Sequence, residues 1–91
     1  MTTNLPPITV NGKNYVLGVA NALWVDLCLF GTFNGATVQL YGSVDGVNFG
    51  AIPSATFTSP CYVSVKMNIG STMMLQATGG TTGMSINTHV N

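Results

Sequence analysis

Residues 62–69 alternate without a break: Val63, Val65, Met67 and Ile69 fall on one side, and Tyr62, Ser64, Lys66 and Asn68 on the other. A period of two is the signature of an extended strand with one face in a core. The pattern recurs along the chain. Residues 36–43 set Val38 and Leu40 against Thr37, Gln39 and Tyr41, and residues 84–90 set Met84, Ile86 and Val90 against Ser85, Asn87 and His89. No stretch carries the i, i+3, i+4 spacing of an amphipathic helix over successive turns. The punctuation agrees, since Thr, Gly, Asn, Ser and Pro make up 42 of the 91 residues and Glu is absent. Such residues between β-branched runs mark turns between strands. The expected fold is all-β, an antiparallel two-sheet β-sandwich of six to eight short strands with turns every 8–12 residues.

Strand by strand, residues 8–10 are expected to pair with 15–19 through a tight turn at Asn11-Gly12. Residues 23–33 form the longest strand, apolar on both faces: Leu23, Val25, Leu27 and Leu29 on one, Trp24, Cys28 and Phe30 beside Asp26 on the other. Asp45-Gly46 closes a hairpin onto 47–52, 53–60 reads as a loop, and 73–78 and 84–90 complete the set. The core is expected to hold Val25, Leu27, Leu29, Val38, Leu40, Val63, Val65, Met67 and Ile86, the positions that one register buries together. Residues 1–7, with Pro6-Pro7, read as an extended arm outside any ladder, and residues 8–91 as one domain.

Charge narrows the function. Lys13, Asp26, Asp45 and Lys66 are the only ionised side chains, 4% of the chain against an average of roughly 25%, and the net charge is zero. Nucleic-acid binding is not expected, because no basic cluster exists to displace counterions from phosphates. No apolar run is long enough to span a membrane, and the first ten residues lack the charged and apolar regions of a secretory signal. The chain is therefore expected to be made and assembled in a cytoplasm. Cys28 and Cys61 are too few for a disulfide framework or a zinc site; a bridge between them is left open, with reduced thiols expected. No cofactor is implied.

Catalytic groups are scarce. His89 is the only histidine, Asp26 and Asp45 are the only carboxylates, and no serine sits in an elbow motif. Cys61 with His89 would make a nucleophile pair, but no cation lies nearby in sequence to lower the thiol pKa. Asp45-Gly46 lacks the further acidic ligands of a calcium loop, and the glycine-rich run at 79–83 is followed by neither lysine nor helix. An enzyme is not expected. The aromatic residues carry more information. If the leucine face of the long strand fills the core, the Trp24–Phe30 face is left for other residues of the chain, a second copy or another protein to cover. Candidate interface residues are Trp24, Phe30, Tyr41, Tyr62, Pro6 and Pro7. Aromatic side chains on a flat sheet also suit a carbohydrate-binding module, with Asp26 and Gln39 as the polar groups available to a sugar.

One longer pattern stands out. Residues 33–49, FNGATVQLYGSVDGVNF, resemble the form F-x-G-A-T-V-x-L-x-G-S-x-D-G-x-x-W found in small virion structural proteins of tailed bacteriophages. The glycine-rich turn and alternating final strand over 75–86 are similar to the closing hairpin of that group. Phe49 stands where the group has tryptophan, and Ser71-Thr72-Met73-Met74 stands where arginines often flank an aromatic. The resemblance implies a capsid decoration or cement protein that stabilises an icosahedral head by bridging subunits of the major capsid protein, as a homotrimer on the virion surface. A head- or tail-fibre module is the alternative within the same class.

Overall fold

The computed structural model describes the backbone of residues 3–4 and the whole of residues 6–90. Among the described residues eight strands follow one another: β1 (Thr3–Asn4), β2 (Tyr15–Val19), β3 (Trp24–Thr32), β4 (Thr37–Ser43), β5 (Gly50–Phe57), β6 (Cys61–Lys66), β7 (Thr72–Thr78) and β8 (Ser85–Val90). They form two four-stranded antiparallel sheets, ordered β1-β8-β3-β6 and β2-β7-β4-β5. The pairs β1·β8, β2·β7, β3·β6 and β4·β5 are those of a long antiparallel ribbon rolled up on itself, which is the jelly-roll arrangement. The all-β sandwich expected from the alternation is the observed fold.

The inner faces meet as the period-two pattern requires. Val25, Leu27 and Leu29 of β3 and Ile86 and Val90 of β8 pack against Val38, Leu40, Met73, Leu75 and Ala77 of the second sheet. Met67 is buried with them, while Val63 and Val65 on edge strand β6 are half-buried against the core. Ile8, Phe33 and Met84, from the connections, are buried in the same core. Ile69 departs from the expected inward set: β6 stops at Lys66, the chain turns, and Ile69 is 70% exposed.

Three local expectations are corrected. Residues 8–10 do not form a hairpin with 15–19, because Ile8 makes an isolated bridge to Ile86 in one sheet while Tyr15–Val19 pairs with β7 in the other. The Asn11-Gly12 turn, with Gly12 at φ 75°, instead carries the chain between sheets. Asn11 fixes that crossing by donating from Nδ2 to the Gly80 carbonyl and accepting from the Gly80 N–H. Residues 53–57 belong to β5 rather than to a loop. Pro53 and Ser54 (φ 62°) interrupt its ladder with β4, and the Gln39 amide fills the gap by donating to the carbonyls of Ile52 and Ala55 at 3.0 and 3.2 Å. Within the expected arm, Thr3 and Asn4 pair with Val90 and His89, adding a short edge strand to the first sheet. Its remaining described residues, Pro6 and Pro7, lie outside the ladder.

Candidate interaction surfaces

The register of β3 brings part of the expected interface together. On the outer face of the first sheet, Trp24 lies opposite Lys66, Asp26 opposite Ser64, and Cys28 between Tyr62 on β6 and His89 on β8. Trp24 is 57% exposed, Tyr62 69% and Phe30 40%, so three large aromatic side chains share one open face. Polar contacts order its centre. The Ser64 hydroxyl donates to Asp26 at 2.6 Å, and the negative charge of Asp26 pushes the Tyr62 phenol up from its ordinary pKa. Phe30 meets the His89 ring edge-on, with centroids 5.3 Å apart.

Tyr41 and the two prolines lie elsewhere. Tyr41 is half-buried on the outer face of the second sheet, opposite Met74 and Ala51, and is thus separated from Trp24 by the whole thickness of the sandwich. Pro6 and Pro7 are exposed between β1 and the Ile8 bridge and take no part in the aromatic row.

A second surface was not foreseen. At the end of the sandwich where β2, β4 and β6 finish, Val19, Leu23, Val44, Val47 and Ile69 are 46–86% exposed, and Leu23 directly precedes Trp24. The connections that carry them are tied into one platform. Ala20 donates to the Ser71 carbonyl and Gly70 to that of Ala20, both at 2.8 Å, and Met67 donates to that of Leu23 at 2.7 Å. The β4–β5 loop joins through the Ser43–Thr72 pair. Asp45 holds that loop rigid: its Oδ1 accepts from the N–H groups of Val47 and Asn48 and from the Ser43 hydroxyl, each at 2.8 Å, and Oδ2 accepts from the Asn48 amide. These bonds, the one from the Asn48 backbone first, hold its carboxyl well below the usual carboxylate range. A shallow cavity of about 330 Å³, lined by Gly42, Val44, Ile52 and Met67 among others, opens beside the loop. The sequence signal is the pair of lone apolar residues among turn formers in Ser43-Val44-Asp45-Gly46-Val47; Ile69 carries no such signal, since the 62–69 alternation places it with the inward residues.

The thiols and the histidine are arranged differently from the pairing considered in sequence. Cys61 lies opposite Leu29 and packs against the core, whereas Cys28 is on the outer face, so their side chains leave the sheet on opposite sides and a Cys28–Cys61 bridge does not fit. Burial, with a smaller contribution from Cys28, pushes the Cys61 thiol up. His89 on β8 lies opposite Cys28 of β3 and is separated by that strand from Cys61 on β6. Among the described residues, no three of His, Cys, Asp and Glu gather at one point. Comparison with protein-family models, with curated proteins and with solved structures gives no match to this chain.

Proposed function

We propose that this chain is a virion structural protein of the decoration or cement type, which docks on the outer surface of a phage head and bridges subunits of the major capsid protein. The observation that carries the reading is the outer face of the first sheet, where Trp24, Phe30 and Tyr62 stand exposed on a chain with four ionised groups. Exposed aromatic side chains with few charges around them are what the centre of a protein–protein interface is made of. The jelly-roll arrangement and the resemblance over residues 33–49 favour a virion setting, although a fold by itself does not name a function. The threefold state belongs to the resemblance alone.

The test is an add-back experiment. Purified protein is mixed with emptied capsids of its own virus, and the reading expects it to co-sediment with them and to raise their disruption temperature. Trp24→Ala combined with Phe30→Ser should weaken capture at least about tenfold and weaken it more than the fold, because Trp24 is mostly exposed and Phe30 gives up chiefly its contact with His89. Wild-type protein that neither binds nor stabilises the capsids sinks the reading. A carbohydrate-binding module is the second reading, favoured by the carboxylate of Asp26 within the aromatic row. Saturating Tyr62 and Trp24 signals with a glycan, in the absence of capsid, would select it.

A further inference from the structure

Sheet edges are the part of a sandwich most prone to pair with another chain, and folded proteins usually interrupt them. Three of the four edges here are interrupted. Edge strand β1 is two residues long among the described residues, and Pro6-Pro7 come shortly after it. Strand β2 carries an irregularity between Val16 and Gly18. Strand β5 carries Pro53, the left-handed Ser54 and a shift in register. Strand β6 has none of these devices: Cys61–Lys66 is six residues long, with no glycine, proline or bulge, and pairs with β3 in continuous register.

The phase of the ladder shows which groups remain free. Met67 donates to the Leu23 carbonyl, so residues 61, 63, 65 and 67 turn their backbone groups toward β3. The N–H and C=O groups of Tyr62, Ser64 and Lys66 therefore point away from the sheet, and all three residues are exposed.

We propose that β6 is a self-pairing edge, at which two copies of this chain join antiparallel about a twofold axis through Ser64. The occupant follows from the self-complementarity of this register. Ser64 lies opposite the partner's Ser64, and Tyr62 opposite the partner's Lys66. Each pair built from outward-facing residues exchanges both N–H···O bonds. No lysine meets a lysine. Instead the Lys66 stem and ammonium lie along the partner's Tyr62 ring, a favourable cross-strand pair. On the inner side, Val63 and Val65 are half-buried in the single copy, and this register sets each against the other's counterpart and completes their cover. Zero net charge leaves no long-range repulsion to oppose the approach. The product is a continuous eight-stranded sheet whose outer face carries two copies of the Trp24–Phe30 row side by side, whatever that face binds.

Six-residue edges bury less than a standard interface, so the pairing is expected as a concentration-dependent equilibrium. Sedimentation equilibrium on the full chain should show mass rising with concentration from 9.5 kDa toward twice that value. Ser64→Pro removes an outward N–H that β3 does not use and should weaken the dimer at least about tenfold. Tyr62→Lys places like charges opposite each other and should do the same without touching the core. Adding Lys66→Glu to Tyr62→Lys restores opposite charges and should restore the dimer, a rescue that a simple folding defect would not give. The proposal is overturned by a mass that stays at that of one chain, by a trimer, or by a dimer indifferent to Ser64→Pro and Tyr62→Lys.

Discussion

Thr88 sits on the inner face of β8 between Ile86 and Val90, opposite Leu29, and is 1% exposed. Its hydroxyl is buried and has no hydrogen-bond partner among the described residues. Taking a hydroxyl out of water without a replacement partner costs about 1–3 kcal/mol on the scale of protein mutations. Valine has the same branched shape, puts a methyl group where the hydroxyl stands, and suits a strand equally well. Thr88→Val should therefore raise stability by about 1–3 kcal/mol. In a domain of this size each kcal/mol moves the midpoint by about 4–8 °C, so the melting temperature should rise by at least about 4 °C. Urea and thermal unfolding followed by far-ultraviolet circular dichroism measure both quantities, whereas Trp24 is too exposed to report on the core. Thr88→Ser is the control: it keeps the hydroxyl, loses the methyl group and should be less stable than the wild type. If Thr88→Val lowers the midpoint, the hydroxyl is satisfied in solution and the reasoning fails.

Leu27 is 1% exposed at the centre of β3, and Leu27→Ala should lose about 2–5 kcal/mol in the same urea titration; a loss within error of zero would mean that the strand presents its other face to the core. Cys28 and Cys61 leave the sheet on opposite sides, so alkylation without reductant, read by mass spectrometry on unfolded protein, should modify both thiols, and a species lighter by two hydrogens would contradict the register. The Asp45 carboxyl is held below its unfolded value by the N–H groups of Asn48 and Val47, so its contribution is complete above the unfolded pKa of 3.8, declines as pH falls below that, and is gone below the lower folded value. An amide titration should accordingly show the Val47 and Asn48 signals unmoved through the ordinary carboxylate range, and a step near pH 4 would refute the bonding.

Alternation made the core legible because burial of one face fixes strand register: Val25, Leu27, Leu29, Val38, Leu40 and Ile86 all lie where a period of two puts them. What alternation does not encode is which strand pairs with which. Asn11-Gly12 and Asp45-Gly46 are similar dipeptides, yet the first sends the chain to the other sheet and the second closes a hairpin within one sheet. The difference lies in long-range partners, since Asn11 is held by Gly80, 69 residues away in sequence, whereas Asp45 is held by its own loop. The same limit explains the interface candidates. Trp24 and Phe30 share a strand face and could be grouped from sequence, Tyr62 joins them only because β6 pairs with β3, and Tyr41 is excluded only because β4 is in the other sheet. Residues 53–60 read as a loop, but Pro53 lies within β5, and the Gln39 side chain that repairs the ladder around it is visible only in three dimensions.

The apolar end of the sandwich is built rather than left over. Val44 stands at the rim of a cavity lined in part by Ile52 and Met67, a place where a valine side chain would find apolar cover, yet it remains 86% exposed, and Val47 77%. Hydrophobic burial alone would favour folding the loop inward. Opposing it are the bonds that converge on Asp45 from Ser43, Val47 and Asn48, together with those on the Ser43 hydroxyl from the N–H groups of Asp45 and Gly46. Gly46, at φ 77°, supplies the left-handed turn that lets these amides reach inward while the valines point out. Of the two charged groups here, the Asp45 carboxylate is engaged within its loop, and Lys66, opposite Trp24, also lines the cavity beside Val44. Leu23 directly precedes Trp24, and its carbonyl accepts from Met67, so one connection carries both a residue of the apolar end and the first aromatic side chain of the outer face.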